Sequence, residues 1–342
     1  MSTPPVSEQK SAEETTENNA FLDATLRPSR WDDYIGQKTT KENLKILLQA
    51  ATERGHVPEH ILFYGPPGLG KTTLAYLIAK ELSAQIKVTS GPAIEKVADL
   101  ASILTNLAAG DILFIDEIHR LNKTVEEVLY PAMESGSLDI LIGKGPSART
   151  VQLPLAPFTL IGATTRIALL SSPLRSRFSG GVFRLEFYST DEIAKIVRRS
   201  ADTLGVALGS GAAEAIAERS RATPRTANHL LKRVRDYAQV EKRDIDAQSV
   251  IGAFTLLGID AIGLNPSDRS VLETIIKKYN GGPVGLETIA TSLSEEEATI
   301  EEFNEPYLLQ VGMIERTPRG RVATENAYRH LNLKKPQNDL GL

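Results

Sequence analysis

The 342-residue sequence contains no cysteine. Disulfide bonds, thiolate zinc sites and cysteine nucleophiles are therefore excluded, and a reducing cytoplasm is the simplest compartment to expect. Long apolar runs are also missing: runs such as Ile112–Ile115 fall far below the ~20 residues of a membrane-spanning helix. Residues 1–20 lack the charged-then-apolar order of a signal peptide and are rich in Glu, Ser, Thr and Pro, which predicts a disordered tail.

The charge balance is nearly even, with a formal net charge of −4. A value this small neither supports nor excludes a nucleic-acid partner. Any DNA-binding surface must therefore come from a local cluster of basic residues.

The composition changes along the chain and predicts three domains after the tail. In residues 21–188 short apolar strands alternate with helical patterns, which predicts an α/β domain with a parallel sheet. Residues 189–258 show helical periodicity, with one helix expected to start at Pro224. Residues 259–342 predict short helices, one capped by Ser267 and one by a Ser294–Glu297 capping box, and then a β-hairpin around Thr317–Gly320. Three helices followed by a hairpin indicate a winged-helix domain.

A phosphate-binding loop is the clearest motif. The segment Gly65–Thr72 fits the P-loop pattern, with an apolar strand before it and a helix after it. Gly68 and Gly70 would let backbone N–H groups turn towards the phosphates, and the helix expected over Thr73–Leu82 would add its positive dipole. Lys71 is expected to reach the β- and γ-phosphates of ATP, and the Thr72 hydroxyl is expected to bind Mg²⁺.

A second motif lies 45 positions after Lys71, where the apolar strand Ile112–Ile115 ends in Asp116 and Glu117. Ligands bind at the carboxyl ends of the strands in an open α/β sheet. Asp116 is therefore expected to hold Mg²⁺, and Glu117 to orient and activate the attacking water. A further buried strand over Phe158–Thr165 ends in the hydroxyls of Thr164 and Thr165. Either these hydroxyls hydrogen-bond the γ-phosphate or the water, or the strand simply leads into a threonine turn.

The predicted wing carries the local positive charge that the whole chain lacks. Arg316, Arg319 and Arg321 lie within six residues, whereas the preceding segment holds six glutamates between Glu295 and Glu305. Those carboxylates would repel phosphates, so this segment is a poor DNA-recognition helix. The basic wing is either a solvated surface turn or a site of contact with the DNA backbone without base recognition.

In their order these motifs resemble the AAA+ family, and within it the bacterial motors that drive branch migration of Holliday junctions. The resemblance covers nearly all of the chain after residue 20. Further matching segments are Leu26–Pro28, Trp31–Gln37, Asp116–Arg120, Gly162–Arg166, Ser172–Phe178, Leu185–Tyr188, Thr223–Arg225 and Arg316–Arg321. The family's architecture implies a large ATPase domain over 21–188, a small helical lid over 189–258 and a winged-helix head over 259–342.

The resemblance also implies roles for single residues. Thr164, or with less support Thr165, would sense the γ-phosphate. Arg177 would be an arginine finger that reaches a neighbouring subunit's nucleotide, and Arg225 would be a second sensor. The adenine side of the nucleotide would be lined by Leu26, Arg27, Tyr34, Ile35 and Tyr188.

Partners follow from the resemblance as well. Similar motors form six-membered rings on duplex DNA at Holliday junctions and act with RuvA, and with the resolvase RuvC in a larger complex. In that family an inserted hairpin contacts RuvA, and residues 138–153 fit such a hairpin here. Its apolar residues could equally face the core.

Two other functions stay open from the residues alone. One is another AAA+ machine, such as a clamp loader or helicase loader, and the other is a DNA-binding regulator in which bound nucleotide only switches conformation. The winged helix disfavours a clamp loader, and the Asp116–Glu117 pair disfavours a switch without hydrolysis.

Overall fold

The computed structural model of the chain describes residues 25–142 and 149–335. The predicted tail over residues 1–20 and the predicted turn at 143–146 lie outside them. The chain divides into two compact units: the first holds residues up to Leu204 together with Thr223–Arg225, and the second holds Gly205–Ala222 and the residues from Thr226 onward.

The first unit is built on a parallel sheet, as the alternation of strands and helices predicts. Its strands are β1 (Ile61–Tyr64), β2 (Ile86–Ser90), β3 (Ile112–Asp116), β4 (Ser137–Ile142), β5 (Arg149–Pro154), β6 (Thr159–Thr164) and β7 (Gly181–Arg184). The order β2-β3-β6-β1-β7 forms the parallel sheet. Because all five of these strands run the same way, the residues that follow β1, β3 and β6 meet at one edge.

Helices cover this sheet. Those of the first unit are α1 (Lys38–Arg54), α2 (Lys71–Glu81), α3 (Val97–Thr105), α4 (Lys123–Glu134), α5 (Ser172–Ser176) and α6 (Thr190–Thr203). One apolar core joins side chains of β3 and β6 to α3 and α4, including Leu113, Leu160, Leu104 and Leu129. The apolar strand Ile112–Ile115 is fully buried, which explains why it reads as a continuous hydrophobic run.

The predicted hairpin at residues 138–153 is present as the antiparallel pair β4–β5, in which Leu138 pairs with Leu153 and Ile140 with Val151. Leu138 is fully buried, whereas Val151 and Leu153 are 39% and 37% exposed. Leu138 therefore faces the core, whereas Val151 and Leu153 lie at the surface.

The second unit combines helices with a small antiparallel hairpin. Its elements are α7 (Ala212–Glu218), α8 (Pro224–Glu241, whose first two residues belong to the first unit), α9 (Ala247–Leu256), α10 (Pro266–Glu273, continued by a π-helical turn over Thr274–Lys278), α11 (Leu286–Leu293), α12 (Glu297–Thr299), a π-helical turn over Ile300–Asn304, α13 (Glu305–Gln310), β8 (Ile314–Thr317), β9 (Gly320–Ala323) and α14 (Glu325–His330). The elements from α10 through β9 pack around a separate apolar core that includes Val271, Ile289, Leu308 and Ile314. Val284 pairs with Arg321 beside the hairpin, which completes a winged-helix fold.

Two predicted caps are wrong. The N-cap of α10 is Asn265, whose side chain accepts from Asp268 N–H, and Ser267 lies inside the first turn. Ser294 ends α11 in a left-handed conformation with φ of 57°, and Glu296 precedes α12 without a side-chain cap. The start of α8 at Pro224 is as predicted.

Within the described ranges 25–142 and 149–335, no helix is both long and apolar enough to cross a membrane.

Candidate nucleotide-hydrolysis site

The loop between β1 and α2 needs its glycines. Gly68 and Gly70 have φ of +81° and +98°, and Gly65 has φ of +137°, values that side chains with a Cβ rarely adopt. A Cβ on Gly70 would lie 2.9 Å from Tyr34 Oη, and a Cβ on Gly65 would lie 2.7 Å from the Leu185 carbonyl oxygen. The sequence therefore forms a tight cradle at the N-terminus of α2, where Thr72 and Thr73 occupy the first turn.

Lys71 lies folded over this cradle. Its Nζ donates to the carbonyl oxygens of Gly65 and Pro66 at 2.8 and 2.9 Å, and the residue is only 7% exposed. Burial lowers the pKa of Lys71 to about 8, although the nearby charges of Glu117 and Asp116 act to raise it. The site thus holds a partly desolvated cation that an anionic phosphate would stabilise.

Asp116 and Glu117 stand at the carboxyl end of β3. Burial raises the pKa of the Asp116 carboxyl, and the backbone N–H of Glu117, which donates to Asp116 Oδ1 at 3.0 Å, opposes that rise. Glu117 has a left-handed backbone with φ of 46°, so the chain turns sharply after the strand. The charges of both carboxylates act to raise the pKa of Lys71, so the three groups lie close enough to interact, as the sequence predicts.

The end of β6 lies beside Glu117. The Thr165 hydroxyl donates to Glu117 Oε2 at 3.1 Å. Thr164 is fully buried, and its Oγ1 accepts from the backbone N–H of Arg166 at 3.0 Å and lies 2.8 Å from His119 Nδ1. Both candidate sensors are therefore in the site, but Thr165 is the one that contacts Glu117.

Arg225 reaches the same loop from the start of α8. Its backbone N–H lies 3.4 Å from the Gly68 carbonyl oxygen, and a Cβ on Gly68 would lie 3.0 Å from Arg225 Cβ. The Arg225 side chain is exposed, and its positive charge acts to lower the pKa values of both Lys71 and Asp116. The predicted second sensor is thus next to the P-loop.

The segment predicted to line the adenine side packs against Tyr188. Leu26 and Tyr34 are buried, and the Tyr188 hydroxyl donates to the Leu69 carbonyl oxygen at 3.1 Å and lies 3.2 Å from Tyr34 Oη. Burial raises the pKa of Tyr188 to about 12. Arg27 stacks on the Tyr76 ring at 4.7 Å, and Ile35 is partly buried in the same segment.

Sequence reasoning missed Arg199, a residue of α6 that fixes this segment. Its guanidinium donates to the carbonyl oxygens of Asp33 and Leu26 at 2.6 and 3.0 Å. Burial lowers its pKa. An arginine on a helix whose partners are backbone carbonyls leaves no sequence pattern, so only the tertiary structure reveals it.

Arg177, the predicted arginine finger, contacts none of the residues above. Its Nη2 lies 3.0 Å from Glu134 Oε1, its Nη1 donates to the Pro173 carbonyl oxygen at 2.7 Å, and its guanidinium lies 4.3 Å from the Tyr130 ring centroid. Its Nε is buried without a hydrogen-bond partner among the described residues.

The oxygen donors near Lys71 suit Mg²⁺. Asp116 offers a carboxylate and Thr72 a hydroxyl, and the described residues contain no cluster of three or more His, Cys, Asp or Glu side chains that would form an all-protein metal cage. Mg²⁺ is usually held by one or two carboxylates together with substrate phosphates and water, so this small donor set fits it.

The wing differs from the sequence expectation in one respect. Glu305, counted there among the repelling carboxylates, is 1% exposed and pairs with both Arg316 and Arg321, with shortest contacts of 2.6 and 2.8 Å. Burial acts to raise the pKa of Glu305, but the two arginines outweigh it and hold the pKa below its ordinary value. Arg319 is exposed at the hairpin tip, and its side chain has no ion pair with a described residue.

Comparison with known proteins gives matches along most of the chain. The family model described as "Holliday junction DNA helicase RuvB P-loop domain" matches residues 26–185, the RuvB AAA lid domain matches 188–260 and the RuvB C-terminal winged helix domain matches 261–332. The "Holliday junction branch migration complex subunit RuvB" of Dehalococcoides mccartyi (strain CBDB1) is 58% identical over 323 residues, which cover 94% of this chain and 92% of the relative.

Solved structures of a Thermotoga maritima protein agree. Its "RuvB Holliday junction branch migration motor" is 51% identical with a TM-score of 0.83, and the match covers 91% of this chain and all of that one (100%). A point mutant of the same protein gives 51% identity and a TM-score of 0.84, over 91% of this chain and 99% of that chain.

Proposed function

The chain belongs to the RuvB family of Holliday-junction branch-migration motors, and we propose that Lys71, Asp116 and Glu117 carry its ATP hydrolysis. It is an AAA+ ATPase of the helicase type with a P-loop domain, a lid and a winged helix. That membership excludes the clamp-loader and non-hydrolytic alternatives. The observation that carries the residue assignment is the joint position of the three charged groups at one edge of the parallel sheet.

Binding of the triphosphate would use the cradle and its two cations. Lys71 would leave the Gly65 and Pro66 carbonyls and donate to the β- and γ-phosphates, and Arg225 would approach from the start of α8. Thr72 and Asp116 would hold Mg²⁺, which would neutralise charge that develops on the phosphate oxygens. The adenine side would lie against Leu26, Arg27, Tyr34, Ile35 and Tyr188, the segment that Arg199 fixes.

Glu117 would accept the proton of the attacking water, because it is the carboxylate next to Asp116 that lies beyond the strand. The sensor would be at the end of β6. Sequence analysis favoured Thr164, but the contacts favour Thr165, since Thr165 is partly exposed and already donates to Glu117.

Arg177 would complete the site of a neighbouring subunit in a six-membered ring. Its guanidinium has no contact with its own Lys71 or Glu117 in the structure, and it retains an unpaired Nε donor. Such a residue could serve a site in trans after it exchanges Glu134 for a phosphate.

DNA and protein partners would use other surfaces. Duplex DNA would contact the wing, most directly at Arg319, with Arg316 and Arg321 adding positive charge beside it. RuvA would bind the β4–β5 hairpin, whose Val151 and Leu153 are exposed, and RuvC would join the larger complex. Because chromosomal junctions are the substrate, the motor would work in the cytoplasm.

We also propose the domain bounds 1–20, 21–188, 189–258 and 259–342. The family models, which match 26–185, 188–260 and 261–332, support three of these ranges.

The test of the site assignment is the ATPase rate of Glu117→Gln beside that of Lys71→Ala. Glu117→Gln is expected to bind ATP and hydrolyse almost none, whereas Lys71→Ala should fail at binding. Normal turnover in Glu117→Gln would overturn the assignment of the base.

A further inference from the structure

His119 follows the two carboxylates and lies in a short 3₁₀ turn over Ile118–Arg120. The left-handed backbone of Glu117 makes this turn sharp, and a Cβ on Gly91 would collide with the Glu117 carbonyl oxygen, so the turn is packed tightly from outside. The His119 side chain is only 7% exposed. Its ring is therefore held against the site instead of pointing into solvent.

One ring nitrogen joins two groups of the site. His119 Nδ1 lies 3.1 Å from Glu117 Oε2 and 2.8 Å from Thr164 Oγ1. A carboxylate oxygen can only accept, and an unprotonated Nδ1 at this distance would set two lone pairs against each other. A proton on Nδ1 would therefore point towards Glu117 Oε2, and Thr164 Oγ1 lies within hydrogen-bond distance of the same nitrogen.

All described hydrogen bonds to the Glu117 side chain converge on Oε2. Thr165 donates to it from its hydroxyl at 3.1 Å and approaches it with its backbone N–H at 3.5 Å, and His119 approaches from another side. Oε1 accepts from no described residue. A carboxylate held by one oxygen presents the other in a fixed direction, which is what a general base needs to align a water molecule.

We propose that His119 is a positioning residue for ATP hydrolysis, which fixes Oε2 of Glu117 to the buried end of β6 so that Oε1 faces the attacking water. It acts through Glu117 and Thr164 and does not itself touch ATP. The proposal rests on the assignment of Glu117 as the base.

Three substitutions separate this role from simple packing. His119→Asn places an amide N–H where Nδ1 is, His119→Gln carries the amide one bond further out, and His119→Ala removes the donor. For His119→Ala and His119→Gln we expect kcat to fall about 10- to 100-fold with KM for ATP within about twofold, since misalignment affects the chemical step more than binding. His119→Asn should keep most of the wild-type kcat.

His60 supplies a matched control in the same unit. It is a partly buried histidine whose Nδ1 accepts from the Leu160 backbone N–H at 2.9 Å and whose Nε2 lies 3.1 Å from the Met133 carbonyl oxygen, and it has no described contact with Asp116 or Glu117. His60→Asn should lower the melting temperature and leave kcat of the folded fraction unchanged. Binding of a fluorescent ATP analogue, measured on every variant, reports the folded fraction.

The outcomes are distinct. A kcat for His119→Ala within twofold of wild type, or an equal fall in His119→Asn and His119→Ala, would overturn the role of Nδ1. If His119→Ala does not fold, the comparison of the Asn and Gln variants decides in the same way. Glu117→Gln separates the two proposals: if it hydrolyses ATP normally the base is elsewhere and both proposals fail, whereas if it is inactive and His119→Ala is normal, only the His119 proposal fails.

Discussion

Arg177 Nη2 lies 3.0 Å from Glu134 Oε1 within the same subunit, and the Tyr130 ring stacks on the guanidinium at 4.3 Å. In the structure the Arg177 guanidinium is therefore bound by groups of its own subunit. A neighbouring subunit's γ-phosphate would have to displace Glu134 to bind it.

Removal of Arg177 tests this relationship. Arg177→Ala should bind ATP with normal affinity and hydrolyse it ~10³-fold more slowly, by analogy with arginine fingers in general. Arg54→Ala, which changes an exposed arginine at the end of α1, is the control and should retain the wild-type rate. Mixed rings of Arg177→Ala and Lys71→Ala subunits should recover activity, because some sites then combine an intact P-loop with an intact finger. No recovery in verified mixed rings would contradict action in trans and show that Arg177 acts within its own subunit or is structural.

The buried Lys71 predicts a proton taken up when ATP binds. Its pKa is lowered to about 8 in the structure, and a triphosphate beside it should raise that pKa again. Near pH 8 the lysine is about half protonated before ATP binds and nearly fully protonated afterwards, so about half a proton should be absorbed, and ATP affinity should fall as pH rises through 8. Calorimetry in two buffers of different ionisation enthalpy measures the uptake. Lys71→Arg keeps its charge at all these pH values and should show none; equal uptake in both proteins would assign the proton to another group.

Substitution of two neighbouring threonines distinguishes a γ-phosphate sensor from a residue with a structural role. Thr165→Val loses the hydroxyl that donates to Glu117, so kcat should fall at least about tenfold, as when one aligning contact is lost. Thr164→Val loses the buried contact with His119 and Arg166, which should lower the melting temperature and reduce kcat less. Single-turnover hydrolysis and thermal melts of both variants check this. The larger kinetic loss in Thr164→Val would restore Thr164 as the sensor that the sequence favours.

Much of this site could be predicted from sequence because its chemistry has fixed spacing. Phosphate binding requires the glycines, Lys71 and Thr72 to lie together on one loop. A continuous apolar strand such as Ile112–Ile115 also predicts where the carboxylates that follow it lie. Local hydrogen-bond choices were harder to predict. Ser267 and Ser294 are each good N-cap residues by type, but Asn265, two residues before Ser267, caps α10, and Ser294 takes the left-handed position that ends α11.

Long-range pairing could not be predicted at all. Glu305 counts as one more solvated acid in the sequence, and only the packing of the wing against α13 buries it between Arg316 and Arg321. Arg199 and His119 are similar cases, since their partners lie on other elements or depend on the shape of a turn.

The Glu305 pairing sharpens the prediction for DNA binding. Arg319→Ala should leave the melting temperature unchanged and lower the slope of log K against log salt by ~0.9, because one phosphate contact is lost. Arg316→Ala with Arg321→Ala should also lose duplex affinity, but it leaves a buried carboxylate unpaired, at a cost of about 3–5 kcal/mol in folding stability. Adding Glu305→Gln removes that buried charge, so the triple variant should regain stability and still bind DNA weakly.

Duplex affinity against salt, on two unrelated sequences, is the measurement for these variants. The loss should be equal on both sequences, as expected for backbone contact. An unchanged slope would place the DNA contact away from the wing, and a loss confined to one sequence would mean that the wing recognises bases.

We expect hydrolysis at Glu117 to drive movement of a four-way junction. The direct measurement is the rate at which a synthetic Holliday junction with homologous arms is converted to duplex products, with RuvA and ATP present, by the wild-type chain and by Glu117→Gln. The wild type should convert the junction only while ATP is present, and Glu117→Gln should convert none although it still assembles on the junction. Conversion by Glu117→Gln at the wild-type rate would contradict it.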